Sequence, residues 1–134
     1  MTTPIYVAIL GLIYIGLSIN VIKSRRTFSA GLGDADNIEM LRRIRAQANC
    51  AEYAPIFLIL LGYAELGGLP GWAVHLCGLA FLAGRIMHAY SLLKAERYEN
   101  FKLMANPVWR ITGMIFTLNV IGALALIILF QSVA

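Results

Sequence analysis

The sequence predicts an all-α membrane protein, a bundle of four transmembrane helices. Four apolar stretches, at about 4–22, 47–66, 70–92 and 109–133, fill most of the 134 residues. A helix needs roughly 20 apolar residues to cross a bilayer. Charged residues make up 13% of the chain, against about 25% in soluble domains. All eleven Lys and Arg fall on one side of the four stretches, and Glu65 alone among the charged residues falls on the other. Basic residues stay cytoplasmic during insertion, so both termini are expected outside and the basic connections inside. The stretches are too long for barrel strands and lack their period-two alternation. Residues 1–134 read as a single domain.

The first stretch, Pro4 to Ile22, is charge-free. No basic residue precedes it and no small-residue cleavage pattern follows it, so it reads as a retained helix and not as a signal sequence. Gly11, Gly16 and Ser18 would let another helix approach it closely. Residues 23–28 form a basic interfacial anchor, and 30–36 read as a loop. Asp36 and Glu39 stand three apart, as in a capping box, so the second helix should begin near Asn37 and run to about Leu66. Pro55 inside it leaves the Ala51 carbonyl without its helical partner. Residues 67–71 form a tight outer turn. The third helix is expected from about Pro70 to Leu92, with Ala80 and Gly84 as a small-residue pair. Residues 93–107 form a polar inner loop, and the fourth helix is charge-free from Ile111 onward. Cys50 and Cys77 lack metal-ligand spacing and read as free, packed thiols, and no metal site is expected. The net charge of +4 reads as inside-facing anchors, and no nucleic-acid partner is implied.

Polar residues within the apolar stretches carry the chemistry. Arg45, Asn49 and Glu52 are spaced i, i+4, i+7 and share one face of the second helix. Glu52 lies about 10 Å beyond Arg45 at 1.5 Å per residue. At that depth an unpaired carboxylate costs at least a few kcal/mol. Arg85, at matching depth on the antiparallel third helix, is the candidate counter-ion. A polar clamp between two helices would account for such a pair. Arg45, Gln47, Asn49, Glu52 and Tyr53, joined by Arg26 and His88, form a larger set, which suits a charged or zwitterionic guest such as a peptide. His88 lies one turn beyond Arg85 on the same face, where an interfacial anchor is the plainer reading. Tyr90, Tyr98 and Trp109 read as interfacial aromatics, and Met87, Met104 and Met114 as packing.

The run RAQANCAEYAPIFL at 45–58 resembles the second-helix motif of the MAPEG family, membrane-associated proteins in eicosanoid and glutathione metabolism. KSRRTF at 23–28 is similar to that family's basic segment after helix 1, and HLCGLAFLAGRIMH at 75–88 to its helix 3. The short loops and the GRIMH run resemble the small bacterial inner-membrane members most. The resemblance implies a homotrimer of four-helix subunits that binds glutathione as co-substrate between neighbours, at the cytoplasmic side and open to the bilayer. It implies that Arg45, Gln47, Asn49, Glu52 and Tyr53 line the site, together with Arg85. Glu52 would take the amino group, and Arg26 or Arg25 of a neighbour would approach a carboxylate. Both signs of charge suit a tripeptide with two carboxylates and one ammonium.

The chain also departs from the family pattern. His88 stands where eicosanoid enzymes of the family carry a tyrosine. Met104 stands where they carry a thiol-activating arginine before helix 4. Arg110 and Lys102 are then the candidate cations for a thiolate, with Arg97 behind them and His88 as a supporting group. The activity implied is glutathione transfer or peroxide reduction on lipophilic electrophiles arriving through the bilayer. A silent glutathione- or lipid-binding membrane protein is the alternative. A small multidrug transporter fits less well, because those rely on a carboxylate in helix 1.

Overall fold

A computed structural model describes residues 1–133. It contains α1 (Thr3–Thr27), α2 (Ile38–Leu66), α3 (Gly71–Tyr90) and α4 (Val108–Val133). One turn of π-helix, Ser91–Ala95, continues α3. A short hairpin of β1 (Tyr98–Glu99) and β2 (Lys102–Leu103) leads into α4. α1 and α2 run antiparallel, and cross-links at both ends of the pair fix this. At the acidic end, the Glu65 carboxylate accepts the backbone N–H of Thr2 and, at 2.8 Å, that of Thr3. It thereby satisfies donors that the first turn of α1 cannot pair. At the basic end, Arg43 reaches back to Asn20 at 2.8 Å.

Local chemistry sets the helix limits. The side chain of Asn37 caps α2 by accepting the Met40 N–H at 3.0 Å. The capping residue is therefore Asn37 and not Asp36, which sits outside the helix at φ +51°. Glu39 pairs with Arg43 one turn on, the favoured i, i+4 order. Gly68 at φ +99° reverses the chain between α2 and α3, a conformation that only glycine adopts freely. The hairpin loop is Asn100–Phe101, both in the left-handed region at φ +46° and +62°. Asparagine tolerates that region, whereas an aromatic residue there costs about 1–3 kcal/mol.

The core lies where all four helices meet. Phe57 of α2 stacks on Phe81 of α3, with ring centroids 3.8 Å apart. Leu61, Val74 and Leu124 are fully buried around them, and Tyr6 and Leu10 close the α1 side. The tightest crossing is between α3 and α4, where Gly84 faces Gly113. Gly11 and Gly16 face open space within the chain. The close approach foreseen at those two positions is thus not made within the chain.

The outside of the bundle is apolar, with Leu12, Ile15, Leu76, Leu126 and Phe130 all exposed. A surface of that kind belongs in lipid or against another apolar surface. Among the described residues three helices are long and apolar enough to cross a membrane: α1, α3 with its π-turn, and α4. The remaining helix, α2, is the longest at 29 residues, and carries Arg42, Arg43, Arg45 and Glu52 in its basic-end half. The chain is an integral membrane protein with its polar chemistry concentrated on α2.

Candidate functional site

The face of α2 defined by i, i+4, i+7 spacing forms as expected, with a different partner for its carboxylate. Glu52 Oε1 lies 3.6 Å from an Arg45 guanidinium nitrogen, and both side chains are about half exposed. Residues seven apart point in nearly one direction, so two long side chains bridge the two turns. Arg85 does not meet Glu52. It is 3% exposed and donates to Asn49 Oδ1, to Thr117 Oγ1 at 3.1 Å through Nε, and to Met114 Sδ at 3.5 Å. Its guanidinium also lies over the rings of Tyr53 and Phe81, at 5.2 and 5.6 Å. Depth along the helix matched Arg85 to Glu52, but direction around the helix turns Arg85 inward.

This bonding orients Asn49. With Oδ1 held by a guanidinium, its amide nitrogen is the group left to donate elsewhere. Asn49 and His88, both buried, form the deep end of a cavity of about 370 Å³ at the basic end of the bundle. Three guanidiniums line the same cavity, from Arg42, Arg45 and Arg110, along with Tyr98. Ile38, Leu41, Leu92 and Phe101 supply its apolar walls. No carboxylate is among the lining residues, so the cavity favours an anion.

A second network fixes the wall formed by the loop. Glu96 is buried and accepts Ser91 Oγ at 2.8 Å and the Tyr98 hydroxyl. Arg110 lies 3.3 Å from the same carboxylate and donates to Tyr98 at 3.2 Å. Burial, and then the bond to Glu96, push the Tyr98 phenol above its ordinary pKa of about 10, so it stays a proton donor at neutral pH. Arg42 donates to the carbonyls of Leu92 at 2.6 Å and Glu96 at 2.9 Å. It thereby pairs carbonyls left open by the end of the π-turn, and its guanidinium sits 5.4 Å from the Tyr98 ring centre.

Asn49, His88 and Arg110 also border a second space, a lateral groove of about 470 Å³ along α4. Ile111, Met114, Ile115 and Leu118 make it apolar. One polar cavity and one apolar groove thus share three side chains.

Arg45, Asn49, His88 and Arg110 line the cavity; Arg85 and Glu52 touch it only through Asn49 and Arg45, and the other expected residues lie elsewhere. Gln47 points to the α1 side and donates to the Tyr14 hydroxyl at 2.8 Å. Tyr53 lies beneath Arg85. Lys102 is exposed on β2 and does not line the cavity. Arg26 is exposed near the end of α1, whereas Arg25 turns back to the carbonyls of Ala30 and Gly33. Arg42, Glu96, Tyr98 and Thr117 belong to the site or its support and were not foreseen. Ser91 and Glu96, two polar groups five residues apart just past an apolar helix, were the available signal.

The MAPEG family model matches residues 3–130, a span that takes in every residue lining the cavity. The chain belongs to the MAPEG family. Among its relatives is the inner membrane protein YecN of Escherichia coli strain K12, 32% identical over 114 residues. That match covers 85% of this chain and 79% of YecN. Leukotriene C4 synthase of Rattus norvegicus is 33% identical over 100 residues, covering 72% of this chain and 66% of the synthase. The Mus musculus synthase is 30% identical over 114 residues, covering 84% and 72%.

Proposed function

We propose that this MAPEG member binds glutathione at the basic end of the bundle and transfers its thiolate to lipophilic electrophiles. In this reading four helices span a bacterial inner membrane, the basic end is cytoplasmic, and three copies assemble around the site. The observation that carries it is the sharing of Asn49, His88 and Arg110 between the polar cavity and the lateral apolar groove. A water-borne anion and a bilayer-borne electrophile would meet only at those three side chains.

The chemistry follows from the charges. A free thiol has a pKa of about 8.5, so little thiolate exists at neutral pH. A cation beside the sulfur raises that fraction, as does the start of a helix. Arg110, in the first turn of α4, supplies both. The sulfur–carbon bond forms as the electrophile's bond to its leaving atom breaks, and that atom takes up the proton the thiol gave up. His88 stands beside the path as a hydrogen-bonding group, and Asn49 donates to a carboxylate or carbonyl of the peptide. Glu52, open on the lateral face, receives the ammonium at the seam with a neighbour, whose Arg26 approaches a carboxylate. Membership of the family and the synthase relatives support this reading.

Thiolate absorbance on adding glutathione to the purified protein is the test. A rise that disappears in Arg110→Leu is expected, and no rise in wild type would end the thiolate mechanism. Glu52→Gln is expected to weaken glutathione binding about tenfold by calorimetry, about 1.4 kcal/mol. Equal affinity would remove Glu52 from the site.

One observation favours a second reading, a binding protein without turnover. Arg110 is already paired with Glu96 at 3.3 Å, and Lys102 does not line the cavity. Calorimetric binding of glutathione with no consumption of a model electrophile would select it.

A further inference from the structure

The hairpin at the mouth of the cavity carries a residue that its own turn disfavours. Two residues, Asn100 and Phe101, join β1 to β2, and both have positive φ. That is the mark of a type I′ turn, whose second place is normally glycine. A bulky side chain there is an outlier that needs a reason. The same side chain is one wall of the cavity.

The rest of the hairpin is tied to its surroundings. Tyr98 pairs with Leu103 across the strands, and its hydroxyl is tied to Glu96 and Arg110. The Met104 N–H bonds the Arg97 carbonyl at 2.9 Å. Ile38 and Leu41, from the first turn of α2, and the buried Leu92 of the π-turn line the same cavity as Phe101. Phe101, 53% exposed, and these apolar side chains thus share one cavity with the buried Asn49 and His88 and with Arg110. Apolar side chains lining a cavity beside guanidiniums hold water away from them, and ion pairs strengthen as water leaves.

We infer that Phe101 is the closing wall of this cavity, an aromatic cover that retains a small anionic peptide against the guanidiniums. This rests on the glutathione reading above and adds how the ligand is kept. Phe101 is placed to slow release, and the turn tolerates the strain because the network beneath it is tied down.

The experiment uses the full chain in nanodiscs, with glutathione as the probe and stopped-flow fluorescence as the readout. Phe101→Gly is expected to speed dissociation about tenfold while leaving association no slower. Binding should also become more sensitive to salt, because uncovered ion pairs are screened more. The unfolding midpoint without ligand should hold or rise, since glycine relaxes the turn. Phe101→Trp should keep slow release. A wild type that does not bind glutathione would overturn both this inference and the reading beneath it. A wild type that binds, with Phe101→Gly indistinguishable from it, would overturn the cover alone. A lower midpoint in Phe101→Gly, with affinity not kept by Phe101→Trp, would make the residue merely structural and overturn the cover as well.

Discussion

Arg110→Leu is expected to slow glutathione conjugation by about 10²–10³-fold, the usual cost of losing one group that stabilises developing charge. It is also expected to destabilise the chain by about 3 kcal/mol, because Glu96 stays buried after its cation has gone. The two effects have different origins and separate in a double variant. Glu96 keeps Ser91 and Tyr98 as partners, and a neutral amide at 96 needs no counter-ion. Arg110→Leu with Glu96→Gln should therefore recover most of the lost stability and none of the lost rate. Turnover of a model electrophile and the unfolding midpoint in micelles are the two measurements. If the double variant regains its rate along with its stability, Arg110 only supports the loop. If Arg110→Leu keeps full activity from the start, the thiolate mechanism loses its cation.

The sequence made the helices and the polar face of α2 legible because those signals are local. Residues 45, 49 and 52 share a face whatever surrounds them. The counter-ion to Glu52 was not legible, because it depends on rotation about the axis of α3. Arg85 has the right depth and the wrong direction, and the direction is set by the Gly84–Gly113 crossing, which brings Thr117 within reach of the guanidinium. Thr117 looked like an ordinary residue in an apolar helix, although its hydroxyl serves both Arg85 and the Gly113 carbonyl. Tyr98 passed for an interfacial aromatic because Glu96 and Arg110 are 14 residues apart in sequence and meet only once the hairpin folds. Gln47 followed its family motif into the expected site, yet two residues on from Arg45 it points to the far side of the helix. Loops of few residues hide such long-range pairs, whereas helical periodicity shows near ones.

Gly113→Ala tests whether that close crossing holds the site together. A single methyl at position 113 would stand 2.6 Å from the carbonyl oxygen of Gly84 and 2.9 Å from the backbone nitrogen of His88. Neither atom can rotate away as a side-chain tip would, so α3 and α4 must separate. Overpacking of this kind costs about 3 kcal/mol. The separation draws Thr117 away from Arg85 and moves His88 relative to Arg110, three residues before the new methyl. Glutathione affinity should therefore fall together with the unfolding midpoint. Gly122→Ala on the same helix meets nothing within 4 Å and should match wild type or gain up to about 1 kcal/mol from helix propensity. The pair controls for helix propensity, because both substitutions replace glycine with the better helix former. Equal midpoints for the two variants would mean that the crossing yields without strain, and the inward course of Arg85 would then need a cause other than the Gly84–Gly113 contact.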